Sequence, residues 1–253
     1  MNIVFEYIKY HWNAKGRHGI HSPFVYDLVD NCFKLKLSES DKNQIESFEN
    51  ILKNNHKLIE IQDFGAGSKK LGQKRKISSI YKMSSSKGKY GKFLFRLAKH
   101  FEFQNVLEFG TSLGTGTLHL HLGNPLAEIN TIEACKETFL VAKENLSPFK
   151  NIHQVNETFD SYLSHPKNIK FDFIFVDGHH DGDALLNYME SLKAFSHADT
   201  LFLLDDIRWS DSMFDAWNKI VSDENYHLTI DLFRMGIVVP RPQQQKEHFI
   251  LKI

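Results

Sequence analysis

The stretch VLEFGTSLGTGT constrains this chain more than any other. An apolar run ends in Glu108 and opens at once into Gly110, Gly114 and Gly116, after which the chain turns helical. Glycines let a backbone adopt positive φ and approach a ligand closely, and open α/β sheets bind ligands at the carboxyl ends of their strands. The surroundings fit such a sheet. From Asn105 onward, short apolar runs at 106–109, 129–133, 152–155, 171–176 and 200–204 alternate with amphipathic stretches, as a parallel sheet with crossover helices requires. Segments 227–233, 236–239 and 249–253 are strand-like with little room for helices between them, which predicts an antiparallel strand at the sheet edge. The fold class is therefore α/β, a doubly wound and mostly parallel sheet.

The residues before this pattern read differently. Ser22-Pro23 is a helix start, followed by Phe24, Val25, Leu28, Val29 and Cys32 at helical spacing. No acid occurs between Phe64 and Phe101, while lysines and arginines accumulate from Lys69 to Lys99. This predicts a mobile basic segment leading into a helix from about Tyr90. Residues 1–100 are expected to form a helical extension with a basic loop, a candidate substrate lid, and residues 101–253 the ligand-binding domain. The chain has 31 basic and 31 acidic residues, so no global field draws it to a polyanion, and a nucleic-acid partner is not implied. Cys32 and Cys135 sit in apolar stretches without metal-site or disulfide spacing, and the N-terminus lacks the apolar core of a signal peptide, so a cytoplasmic location is expected.

The glycine spacing discriminates between ligands. A dinucleotide fingerprint G-x-G-x-x-G starting at Gly110 would meet Ser112 and Thr115, so it fails, and Glu108 would repel a pyrophosphate. An acid here suits a ligand that carries positive charge, such as a sulfonium with an α-ammonium group. The second strand ends in Glu133, and Asn156-Glu157-Thr158 follows the third. Each is also compatible with a plain solvated strand end, but they occur in order at successive strand ends.

The run E-F-G-T-S-L-G resembles the first motif of class I methyltransferases, with Ser112 where a middle glycine is common. The resemblance implies a Rossmann-like fold that binds S-adenosylmethionine. It assigns Glu108, Gly110, Thr111, Ser112 and Gly114 to the cofactor loop and Glu133 to the ribose hydroxyls. It assigns Glu157 or Thr158 to the adenine ring and counts Asp177, near the cofactor's methyl group, among the cofactor-binding residues.

The fourth strand delivers Asp177 beside His179 and His180, and the fifth delivers Asp205 and Asp206. Carboxylates gathered at adjacent strand ends must share protons or bind a cation, and an all-oxygen set suits Mg²⁺ or another hard divalent ion. This pattern, with Trp209 just after, is similar to the metal-dependent O-methyltransferases of the catechol and caffeoyl-coenzyme A type and to sugar O-methyltransferases. That likeness implies a divalent cation on Asp177, Asp205 and Asp206, a small hydroxylated acceptor, His180 or His179 as proton acceptor, and allows a homodimer. Asp206 stands where the first group has asparagine. A metal-independent enzyme with a histidine base and a phosphorylated or nucleic-acid acceptor, and a cofactor-binding module without catalysis, are the competing readings. Asp63, Gly65 and Gly67 imitate the glycine motif, but only the basic run follows them, so they read as a loop. His11, His18 and His21 suggest no ligand set.

Overall fold

Parallel strands covered on both faces need apolar side chains on both faces, and this chain supplies them. In the computed structural model, Phe173 to Val176 and Leu201 to Leu204 are buried at every position. The structure describes residues 2–14, 21–62, 73–84, 86–165 and 169–252. The chain forms two compact units, one of Met1–Asp30 with Leu163–Ile253 and one of Asn31–Tyr162.

The first unit opens with α1 (Ile3–Asn13) and α2 (Pro23–Asp27). The second contains α3 (Glu39–Lys53), the antiparallel pair β1 (Leu58–Ile61) and β2 (Gln73–Lys76), then α4 (Ile77–Ser84) and α5 (Gly88–Phe101). It continues with β3 (Asn105–Phe109), α6 (Thr115–Gly123), β4 (Glu128–Ile132), α7 (Lys136–Leu146), β5 (Ile152–Val155) and α8 (Phe159–Ser164). β4 pairs in parallel with β3 on one side and β5 on the other, Ile129 lying opposite both Val106 and Ile152. The chain then returns to the first unit with β6 (Phe173–Val176), α9 (Gly182–Leu192), β7 (Leu201–Leu204), α10 (Asp211–Ser222), β8 (Leu228–Asp231), β9 (Gly236–Val239) and β10 (Glu247–Ile250). β6 and β7 are parallel. The antiparallel strand expected toward the end of the sheet is β9, which runs against both β7 and β8, and β10 lies beyond β8 and parallel to it. The result is the mostly parallel α/β, Rossmann-like fold class that the apolar runs predict.

Two details differ from the sequence reading. The basic stretch is not one loop: Gln73 to Lys76 form an exposed strand, with Lys74 opposite Glu60, and α4 follows directly. Pairing with a distant strand supplied what local periodicity lacked. Asp63, Gly65, Gly67, Lys69, Lys70 and His18 lie outside the described residues. Among the described residues, no helix is long and apolar enough to cross a membrane.

Close packing of α9 on α10 sets the position of the loop that follows β6. A Cβ added at Gly182 would lie 2.1 Å from the Ser212 carbonyl oxygen, a backbone atom that cannot rotate away. Gly182→Ala is therefore expected to destabilise the fold by about 1–3 kcal/mol, as overpacking does. Thermal denaturation checks this, and an unchanged midpoint would mean that the two helices are not packed at that distance.

Candidate functional site

The loop between β3 and α6 alternates left-handed residues, with φ of +103° at Gly110, +48° at Ser112 and +86° at Gly114. At Gly114 a side chain is excluded twice over, because a Cβ would also meet Leu146 Cδ1 at 2.9 Å. Ser112 bears its strained backbone because the site compensates for it. Its N–H donates to Glu133 Oε2 at 2.8 Å, while Glu133 Oε1 accepts the Cys135 N–H at 2.8 Å. Burial raises the Glu133 pKa, and the N–H donors of Cys135 and Ser112 and the Thr138 hydroxyl oppose the rise. One carboxylate thus braces the loop to the start of α7. With three donors on about four lone-pair sites, the carboxylate keeps capacity for a further donor.

Glu108 lies deeper. Its Oε2 accepts hydroxyls from Thr117 at 2.5 Å and Thr131 at 2.7 Å, and Thr131 Oγ1 is also 2.6 Å from Thr111 Oγ1. These threonines, which spacing did not single out, tie the acid to α6 and β4, so its carboxylate is engaged beneath the loop. Complete burial pushes its pKa from 4.5 up to about 7, with the two hydroxyls opposing and Glu133 adding to the rise. After β5, Asn156 donates to the carbonyl of Glu133 at 2.7 Å, drawing the third strand end to the second. Glu157 accepts from the Ser161 hydroxyl and Thr158 Oγ1 from the Ser161 N–H, each at 3.2 Å, so both residues shape the first turn of α8. Phe109 and Phe159 stack at 4.5 Å and fix that turn against the end of β3.

In the other unit, Asp177 follows β6 and His179 has φ +53°. His179 Nδ1 lies 2.6 Å from the Tyr188 hydroxyl, and Asp181 caps α9 through the Ala184 N–H at 3.0 Å. His180 Nε2 is 3.8 Å from Asp206 Oδ2, and its ring lies tilted against exposed Trp209 at 5.6 Å. After β7, the Asp205 side chain is fully buried and Asp206 has φ +52°. The partner of this acidic pair is Arg234, from the turn between β8 and β9. Its Nε and Nη2 donate to Asp205 Oδ1 and Oδ2 at 2.9 and 2.6 Å, and Nε is also 2.9 Å from Asp206 Oδ1.

Arg234 went unnoticed in the sequence, where a lone arginine near a strand end carries no signal. It changes the reading of Asp177, Asp205 and Asp206 as a divalent-cation set. Mg²⁺ needs carboxylate lone pairs at about 2.0–2.1 Å and open octahedral positions, whereas both Asp205 oxygens already accept a guanidinium. Among the described residues, no group of three or more His, Cys, Asp or Glu side chains is arranged to hold a metal ion. The donor set does not fit the cation.

A parallel sheet whose first strand opens into a left-handed loop and whose second ends in an acid bracing that loop is the arrangement that the class I methyltransferase resemblance implies. Residues 107–207 match the family model described as a methyltransferase domain, which together with the fold supports an S-adenosylmethionine-dependent methyltransferase. The fold is shared with an S-adenosylhomocysteine-bound methyltransferase from Podospora anserina (16% identity, 81% of this chain and 97% of that one, TM-score 0.54). It is also shared with an O-methyltransferase from Bacillus cereus in complex with S-adenosylhomocysteine (17%, 85% and 96%, 0.53). A third similar structure is an O-methyltransferase from Streptomyces achromogenes in complex with S-adenosylmethionine (15%, 89% and 99%, 0.54). No curated protein matches the chain.

Because the folded state holds the Glu108 proton up to about pH 7 and the unfolded state only to about 4.5, folding stability falls as pH rises through that window. The loss amounts to about 3 kcal/mol. Glu108→Gln removes it, so the variant should gain on the parent between these pH values and no further above them. Chemical denaturation at pH 4.5 to 8 measures this, and parallel pH profiles would count against a titrating Glu108.

Proposed function

We propose that this chain methylates a hydroxyl of a small acceptor, with S-adenosylmethionine held by the loop at Gly110, Thr111, Ser112 and Gly114 and by Glu133. The observation that carries this reading is Glu133: a part-buried carboxylate at the end of β4 that already grips two N–H groups and keeps acceptor capacity for a ribose hydroxyl. The choice of oxygen as acceptor is supported by the names of the Bacillus cereus and Streptomyces achromogenes neighbours. When bound, the cofactor supplies a methyl activated by its sulfonium, so the chain's own task is to orient a nucleophile and take its proton. Of the two routes to an ionised hydroxyl, a divalent cation or a base, the engagement of Asp205 by Arg234 favours the base.

His180 suits that role better than His179. His179 has its Nδ1 committed to Tyr188, whereas Asp206 faces His180 Nε2 and steadies the imidazolium formed when Nδ1 accepts the acceptor's proton. Asp177, at the end of β6, orients the acceptor. The exposed Lys74, Arg75 and Lys76 of β2 are a solvated face in this reading.

Two variants test it. Glu133→Ala should weaken S-adenosylmethionine binding by about 1–3 kcal/mol in calorimetry, the cost of leaving buried donors unpaired; unchanged affinity would remove Glu133 from the site. His180→Asn should keep cofactor affinity and lower kcat by about 10²–10⁴, with loss of the acidic limb of the pH–rate profile. Tight cofactor binding with no turnover across a panel of phenols, sugars and hydroxy acids would instead make the chain a binding module.

A further inference from the structure

We propose that Arg234 is a resident replacement for a divalent cation: its guanidinium permanently occupies the charge position between Asp205 and Asp206 that a metal ion would take. The chemical need comes first. Asp205 is stripped of water, and burial, then the neighbouring Asp177 and Asp206, push its pKa well above the ordinary range, with Arg234 opposing them. A carboxylate so placed needs a cation against it. A planar guanidinium meets that need without open coordination, because its fork matches the two carboxylate oxygens. Burial alone would lower the Arg234 pKa, but Asp205, then Asp206 and Asp177, raise it instead, so the charge is held at every working pH.

The position of Arg234 is built rather than incidental. The Arg234 carbonyl accepts the Ile207 N–H at 2.9 Å, clamping its backbone to the segment that carries its acidic partners. The preceding Phe233 takes φ +70° and gives its N–H to Asp231 Oδ1 at 2.8 Å. Asp231 is itself held by Arg208 through two bonds of 2.8 and 2.6 Å, and Arg208 reaches the Phe233 carbonyl at 2.8 Å. The Arg208 guanidinium lies 5.0 Å from the Phe233 ring centre, and Tyr7 and Tyr10 of α1 pack on that ring at 5.1 and 5.2 Å. A second buried ion pair and a strained residue thus hold the turn that delivers Arg234. For catalysis, and this part rests on the methyl-transfer reading, the consequence is that hydroxyl ionisation falls to His180.

The test reads metal binding and not activity. Mn²⁺ is titrated into the full chain and followed by electron paramagnetic resonance, with circular dichroism as the measure of folding. The parent should show no saturable site. Arg234→Ala, which uncovers the acidic pair, should gain one, and adding Asp205→Asn should abolish it. Arg234→Gln, with most of the stem but no charge, replaces Arg234→Ala if that variant does not fold. Saturable Mn²⁺ binding by the parent that Asp205→Asn removes would overturn the proposal. So would a folded Arg234 variant that gains no site. A chain that behaves as expected toward Mn²⁺ yet binds no S-adenosylmethionine would sink the methyl-transfer reading and leave this inference standing.

Discussion

A carboxylate removed from water at the end of a buried strand must be met by donors, or it protonates or pulls the strand end open. Glu108, Glu133, Asp205 and Asp231 all occupy such places, at or just beyond β3, β4, β7 and β8, and each is met differently. Glu108 takes two threonine hydroxyls, Glu133 takes two backbone N–H groups, and Asp205 and Asp231 each take a bidentate arginine. Within each unit these pairings fix loops at strand ends: Glu133 braces the loop after β3, and Asp231 with Arg208 holds the turn that carries Arg234.

The kind of donor separates the chemistry. Neutral donors leave Glu108 and Glu133 without a full countercharge, and burial raises both pKa values. Full guanidinium charges leave Asp205 and Asp231 as closed pairs whose worth is positional. A buried ion pair of this kind adds little net stability but is costly to break, since removing one partner strands the other charge. Such pairs suit loops that must hold one geometry, and the left-handed backbones of Asp206 and Phe233 lie beside them.

The cofactor half was largely legible because its members are close in sequence. Strand, acid and glycines sit within a dozen residues, and Glu133 follows one crossover later, so periodicity and strand ends located them. The surroundings of the paired aspartates were not legible, for the opposite reason. Asp205 and Asp206 stand out as a pair, but the group that neutralises Asp205 is 29 residues away, beyond α10 and β8, and proximity of that kind has no sequence signature. The basic stretch shows the same limit: Gln73 to Lys76 have no strand periodicity of their own and become a strand only opposite Leu58 to Ile61.

The sequence by itself determined the sheet, its apolar runs, the glycine loop and the acids at the ends of β3, β4 and β7, because burial, φ and charge are properties of residues and their near neighbours. Only the tertiary structure decided which donor each acid receives, since a hydrogen-bond partner is chosen by distance in space. It is that choice, a threonine pair for Glu108 and an arginine for Asp205, that gives similar carboxyls different surroundings: hydroxyl donors in one case, a closed charge pair in the other.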